Sequence, residues 1–256
     1  MLIDQQDQSD LTSGDSIRLI SMNHILLLLI LGFFSSTTKP AYQVAATTSS
    51  HSSLMESHDE VWSAAESAGF GPPELITEFR ALWTDQGLYV RFDVRDVDPW
   101  YTYTDRDAPL WEEEVVEIFL DPSRKGTHYA EVEINPANVV CDVWVLSAKP
   151  KKMDLSWNIE GLESRTALLR NSEGKSVGWT AVAYLPWGGF RSLPSTTHVS
   201  LPPESGDNWR FNLFRIERPG GKTDPDTDVI LAAWSPPPGR SFHVPEAFGD
   251  LVFMKD

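Results

Sequence analysis

Between residues 88 and 94 the apolar side chains Leu88, Val90, Phe92 and Val94 fall on every second position. That two-residue period places them on one face of a β-strand. Similar short runs recur along the chain, separated by turn-forming residues. Residues 74–83 lead through Asp85-Gln86-Gly87 into 88–96, and 115–120 lead through a polar segment into 129–134. A run at 139–146 follows the Asn135-Pro136 turn, and 165–170 and 179–185 flank Asn171-Ser172-Glu173-Gly174-Lys175. Runs at 209–216, 229–234 and 251–253 complete the series. About nine to eleven strands at this spacing predict an all-β domain, a β-sandwich or jelly roll. Only short helical pieces fit, near 59–66 and after Pro186. The loops 97–110 and 190–208 exceed common connection lengths, which marks each as functional or mobile.

The segment Pro109 to Pro122, PLWEEEVVEIFLDP, carries the most chemistry. Counting by two from Trp111 gives Glu113, Val115, Glu117 and Phe119, which one strand would hold on one face. The opposite parity, Val116, Ile118 and Leu120, suits a core. An indole in line with a carboxylate suits a sugar-binding surface: the ring stacks on the C–H face of a pyranose, and the carboxylate accepts hydrogen bonds from its hydroxyls. The same spacing also fits a tryptophan that plugs a sandwich edge beside a solvated glutamate. Further aromatic residues sit in loops, namely Trp100, Tyr101 and Tyr103 before Trp111, and Trp234, Phe242 and His243 near the C-terminus.

The N-terminal third reads differently. Residues 25–34, ILLLLILGFF, form an apolar run too short for a membrane span of about 20 residues. With the small residues that follow, it reads as a signal peptide ending near residue 45, preceded by an extension whose acidic side chains suit no n-region; Met22 is a candidate start. An uncleaved membrane anchor is the alternative. Residues 46–69 read as a flexible linker, and 70–256 as the folded domain, expected to be secreted, extracellular or periplasmic.

The formal charge of −16 argues against nucleic acid or an anionic membrane surface as partner. A neutral oligo- or polysaccharide has no such requirement, and a monomer is expected. The lone Cys141 lies in the alternating run Val139, Cys141, Val143, Val145, as a small buried hydrophobe would. Glu112, Glu113, Glu114 and Glu117 invite a glycoside hydrolase reading, but a run on one strand does not supply two carboxylates opposed across a substrate. The histidines show no zinc spacing. Calcium is open, since Asp93, Asp96, Asp98, Asp105 and Asp107 offer oxygen ligands near one loop.

Taken together, LYVRFDVRDVDP (88–99), PLWEEEVVEIFLDP (109–122), YAEVEINP (129–136), GWTAVAYLPW (178–187), WRFNLFRIER (209–218) and AWSPPPGRSFHVPEAFGDLVF (233–253) resemble the family-9 carbohydrate-binding modules. The resemblance implies a non-catalytic β-sandwich that clamps terminal sugars of xylan- or cellulose-derived chains between two tryptophans and carries structural calcium. By position, Trp111 matches one clamp ring and Glu117 the carboxylate beside it; Phe242, with Trp234 nearby, stands for the second ring, and Asn212 and Arg210 are further candidates. Two departures stand out. Phe242 offers a smaller stacking face than tryptophan, and Glu131 occupies a strand position where the family carries an arginine. The expected affinity is modest, on the order of micromolar to millimolar. The competing expectations are a glycoside hydrolase and a surface domain that contacts protein.

Overall fold

The computed structural model describes residues 39–191, 193 and 196–255. Thirteen strands are present among them: β1 (Ala41–Ala46), β2 (Ala68–Phe70), β3 (Thr77–Trp83), β4 (Gly87–Arg95), β5 (Val115–Asp121), β6 (Tyr129–Ile134), β7 (Val140–Ala148), β8 (Lys151–Asp154), β9 (Glu163–Arg170), β10 (Ser176–Pro186), β11 (Asn208–Glu217), β12 (Ile230–Ala233) and β13 (Gly249–Met254). Short helices α1 (His51–Met55), α2 (Asp59–Trp62) and α3 (Trp187–Phe190) decorate them.

Hydrogen bonding joins the strands in the order β8-β7-β6-β5-β11-β13-β1-β3-β4-β10-β9, with β12 on β11 and β2 on β3. The two ends of this path fold over one another. The main core takes Val116, Ile118, Leu120, Ala130 and Val132 from β5 and β6, and Phe79, Val90, Phe92 and Ala181 from β3, β4 and β10. The result is a β-sandwich whose layers are bridged by β13 and β1, which pair in parallel. The alternation expected in β4 holds, with Leu88, Val90, Phe92 and Val94 all in the main core.

Strands β5 and β6 are buried along their whole length on both faces. Their second face carries two smaller clusters, one built on Leu110, Val115, Cys141, Val143 and Ile216, the other on Phe119, Tyr129, Val145, Phe214 and Phe248. Chain segments before β5 and before β13 cover that face, and the candidate site lies there.

The segment read as leader end and flexible linker is folded. β1 inserts between β13 and β3, with Tyr42 and Val44 buried. The Tyr42 hydroxyl donates to the Glu66 carbonyl at 2.5 Å and accepts from the Ala81 amide at 2.8 Å. Leu54, Met55 and Trp62 of α1 and α2 pack against Leu82, Tyr89 and Val182. The sequence concealed this because AYQVAA is short and half alanine. Ser50, within the segment read as linker, is the N-cap of α1, its side chain accepting from the Ser53 amide. The apolar run 25–34 and everything before it lie outside the described residues. Among the described residues no helix is long and apolar enough to cross a membrane.

β1 separates β13 from β3, so its removal should unzip the seam of the sandwich. Deleting residues 1–46 should lower the melting temperature sharply or prevent folding, since burial of Tyr42 and Val44 is worth about 1.5–3 kcal/mol each. A chain that lacks only residues 1–38 keeps β1 and should melt well above one that lacks 1–46. Equal melting of the two truncated chains would contradict the seam role.

Candidate functional site

Trp111 does not lie on β5. It sits in a 3-10 turn, Leu110–Glu112, that precedes the strand. The turn differs from a continued strand because Glu113 and Glu114 point back into the preceding loop. The Glu113 carboxylate accepts from the amides of Thr102 and Tyr103 at 2.7 and 3.1 Å, and Glu114 accepts from the Trp100 amide at 3.0 Å. Arg218 donates to the Trp111 carbonyl at 2.9 Å. Trp111 is thereby set half-buried against the cluster of Leu110, Val115, Cys141, Val143 and Ile216.

Phe242 packs on the same cluster from the C-terminal loop. Its ring lies over Phe214, with centroids 4.1 Å apart and planes inclined by 19°. Phe214 stands directly across from Glu117 in the β5–β11 register. Glu117 therefore lies between Val115 and Phe119 along its own strand, beside the base on which Phe242 rests. The structure brings Trp111, Glu117 and Phe242 together on one face.

Arg210 and Asn212 share the face of Phe214 on β11 but are bonded to backbone there, and Trp234 leaves the face altogether. Asn212 is fully buried and committed to the backbone: its amide nitrogen donates to the Ser235 carbonyl at 2.8 Å, and its oxygen accepts from the Ser235 and Leu213 amides. Arg210 donates to the Pro245 carbonyl at 3.2 Å, in register with Asp121 and Asp250. Trp234 turns into the main core, edge-on to Phe79 and Phe211 at 5.6 and 5.7 Å. Gly249 admits it there, since a Cβ at that position would lie 2.6 Å from the indole. Trp100 is also buried, its indole N–H donating to the Arg218 carbonyl at 3.0 Å.

Two acidic residues that the spacing of β5 could not reveal complete the face. Glu133 stands directly across from Glu117 on β6, and Glu131 lies across from Phe119. Both are buried. Alternation along YAEVEI could have found them, because Ala130, Val132 and Ile134 are core residues and force the glutamates to the other side. Burial, reinforced by the neighbouring carboxyls, holds Glu117 and Glu133 well above the usual carboxylate range. Burial pushes Glu131 up to about 7 against the opposing pull of Lys151. Beside them, burial lowers His243 to about 4. Its Nδ1 lies 2.8 Å from the Tyr129 hydroxyl, which burial keeps protonated and able to donate.

A second acidic cluster lies off this face. Asp96, Glu114 and Glu217 are buried and offer ligand oxygens within 4.8 Å of one another. Arg215 donates to Asp96 at 3.2 Å and also to Glu217. Burial and the Asp96 and Glu217 charges raise Glu114 to about 10. Three carboxyls against one guanidinium leave negative charge to neutralise, and the all-oxygen donors suit a hard cation such as calcium. Of the aspartates considered from sequence, only Asp96 joins this group. Asp93 instead pairs with Arg80 and Arg91.

Comparison with known proteins agrees with this architecture. Residues 55–256 match the model of the carbohydrate family 9 binding domain-like family. A relative from Arthroderma benhamiae described as an extracellular protein is 30% identical over 196 residues, covering 70% of this chain and 78% of its own length. Among solved structures, a family 9 carbohydrate-binding module from Caldicellulosiruptor kristjanssonii in complex with cellotriose superposes with a TM-score of 0.60 at 16% identity, over 85% of this chain and 95% of that one. The complex with glucose gives the same score and identity, over 85% of this chain and 97% of that one. The match of the family model across most of the chain is decisive: this protein belongs to the carbohydrate family 9 binding domain-like family.

Proposed function

We propose that this protein is a secreted, non-catalytic module that holds an end of a cellulose- or xylan-type sugar chain against Trp111 and Phe242, with Glu117 facing the sugar's polar groups. One observation carries the reading: the two rings pack on a single cluster beside Glu117, where the sequence resemblance implies that sugar is held. Half-buried rings held from below expose a flat face at low entropic cost, which favours stacking on a pyranose. The relative described as extracellular supports secretion, and the neighbours bound to cellotriose and glucose support a hexose ligand.

Glu131 and Glu133 revive the hydrolase alternative, because they supply carboxyls near Glu117 that a single strand could not. They sit on the same wall, however, on neighbouring strands of one sheet face. A hydrolase flanks the scissile bond with its two carboxyls. All three here would approach a sugar from the same side.

Calcium fits the Asp96, Glu114 and Glu217 cluster. Bound there it would neutralise the excess charge and tie the loop after β4 to the ends of β5 and β11, a structural role behind the loop that holds Trp111.

Trp111→Ala should abolish retention on polysaccharide while the protein stays folded, melting about 2–8 °C lower for the loss of a half-buried ring. No reducing sugar should be released in the same assay. Undiminished retention would contradict the assignment, as would release of sugar. Calcium should raise the melting temperature, by up to about 2.7 kcal/mol of stability at a hundredfold excess over Kd. Glu114→Gln should blunt that response, and equal melting in calcium and in chelator would remove the cation from the account.

Stability should also depend on pH with a definite sign. A carboxyl raised from 4.5, as Glu131 is to about 7, contributes fully below pH 4.5 and loses its contribution as pH climbs through the folded value. Glu117 and Glu133, raised in the same direction, add to that loss. His243, lowered from 6.5 to about 4, acts oppositely and only below pH 6.5. As pH rises above about 6.5 the melting temperature should therefore fall, by at most about 1.4 kcal/mol per pH unit for each carboxyl still protonated in the fold. Glu133→Gln should flatten the slope. A melting temperature that rises over this window would show that the cluster is ionised.

A further inference from the structure

The carboxyls beneath Trp111 and Phe242 lack the cation that would balance them. Glu117, Glu131 and Glu133 are 2%, 3% and 0% exposed. Among the described residues, Oε2 of Glu131 and both oxygens of Glu133 meet no hydrogen-bond donor other than each other's carboxyl. The groups facing them are few. Lys151 of β8 acts on all three from the solvent side without forming an ion pair with any of them. His243, from the loop before β13, stands 4.0 Å from Glu131 with its ring held neutral. Tyr129 of β6 and Cys141 of β7 keep their protons, while Asp107 and Glu246 add negative charge nearby. From β11 the neighbour is the Phe214 ring.

A sugar hydroxyl both donates and accepts, so a surface built to read hydroxyls needs donors as well as acceptors. This wall, once ionised, offers acceptors alone. An ammonium is its complement, with three donors, no acceptor and a positive charge. The aromatic rings and the ammonium demand meet in one ligand class, a pyranose bearing a free amine.

Resting on the carbohydrate-binding reading above, we propose that this site selects amino sugars with an unacetylated amine, seating the ammonium against Glu117 with Glu131 and Glu133 behind it. No covalent bond changes. The arriving ammonium displaces a proton that the carboxyls share, and that proton passes to solvent, so the local charge is conserved. Affinity for the amine should therefore rise with pH until the amine itself loses its proton. Affinity for neutral sugars should not.

Three β-1,4-linked disaccharides separate the outcomes because they differ only at C2: the glucosamine dimer, its N-acetylated form and cellobiose. Calorimetric titration of the full chain near pH 6 should give at least tenfold tighter binding of the glucosamine dimer than of either other sugar. Its heat should change with the buffer's ionisation enthalpy, reporting proton release. Glu131→Gln should cut the preference several-fold. Glu173→Gln, which removes one charge from a remote exposed turn, should keep it and so exclude a mere effect of net charge. Binding of cellobiose as tightly as the amine would overturn the proposal while leaving the carbohydrate reading intact. So would a preference that survives Glu131→Gln. Failure to bind any of the three would overturn both.

Discussion

Strands β5 and β6 have no solvated side, and the site follows from that constraint. In a sandwich edge exposed to water, alternate residues could carry charge at little cost. Here Val116, Ile118 and Leu120 fill the space between the layers. Strand parity then drives Glu117 to the other face, with Glu131 and Glu133 of β6 beside it. That face is roofed by the turn bearing Trp111 and the loop bearing Phe242. A carboxylate taken from water into such a place becomes a neutral acid or finds a partner. The raised affinity of these groups for protons is the first outcome, and the proposed ligand supplies the second.

The roof has its own supports, and they explain why so many acidic residues cluster before β5. Glu113 and Glu114 hold the loop that precedes Trp111 by accepting its amide protons. Arg218 fixes the Trp111 backbone from β11's far end. At the other side Asn212 locks the chain at Ser235, from which the loop to Phe242 departs. These residues position the rings without presenting groups to a ligand. Strings of glutamate near an aromatic residue need not all be binding residues, even where one of them is.

Much of this was legible in the sequence. The period-two runs located the long strands, because strands buried on one or both faces leave a hydrophobic signature that turns interrupt. β1, β2 and β8 were not legible, being short or poor in β-branched residues, and β1 was read as leader and tether. In the site, Trp111, Glu117 and Phe242 lie on one face of the sandwich. Asn212 and Arg210 share that face but are bonded to backbone carbonyls, and Trp234 points into the core. A sequence block shows which residues are near the site without showing which way each faces or what it is already bonded to. Trp234 illustrates the difference: two residues from Ala232, it falls on the core side of its strand pairing and packs on Phe79. Glu131 was visible only as a departure, and its meaning depended on Glu133 and Glu117 standing beside it.

The most direct test is a crystal structure of the protein soaked with the glucosamine dimer. The account predicts a pyranose ring against Trp111 and Phe242, with its nitrogen within hydrogen-bonding distance of Glu117. A sugar bound elsewhere, such as the groove lined by Trp144 and Trp157 on the opposite side of β7, would contradict the account at its centre.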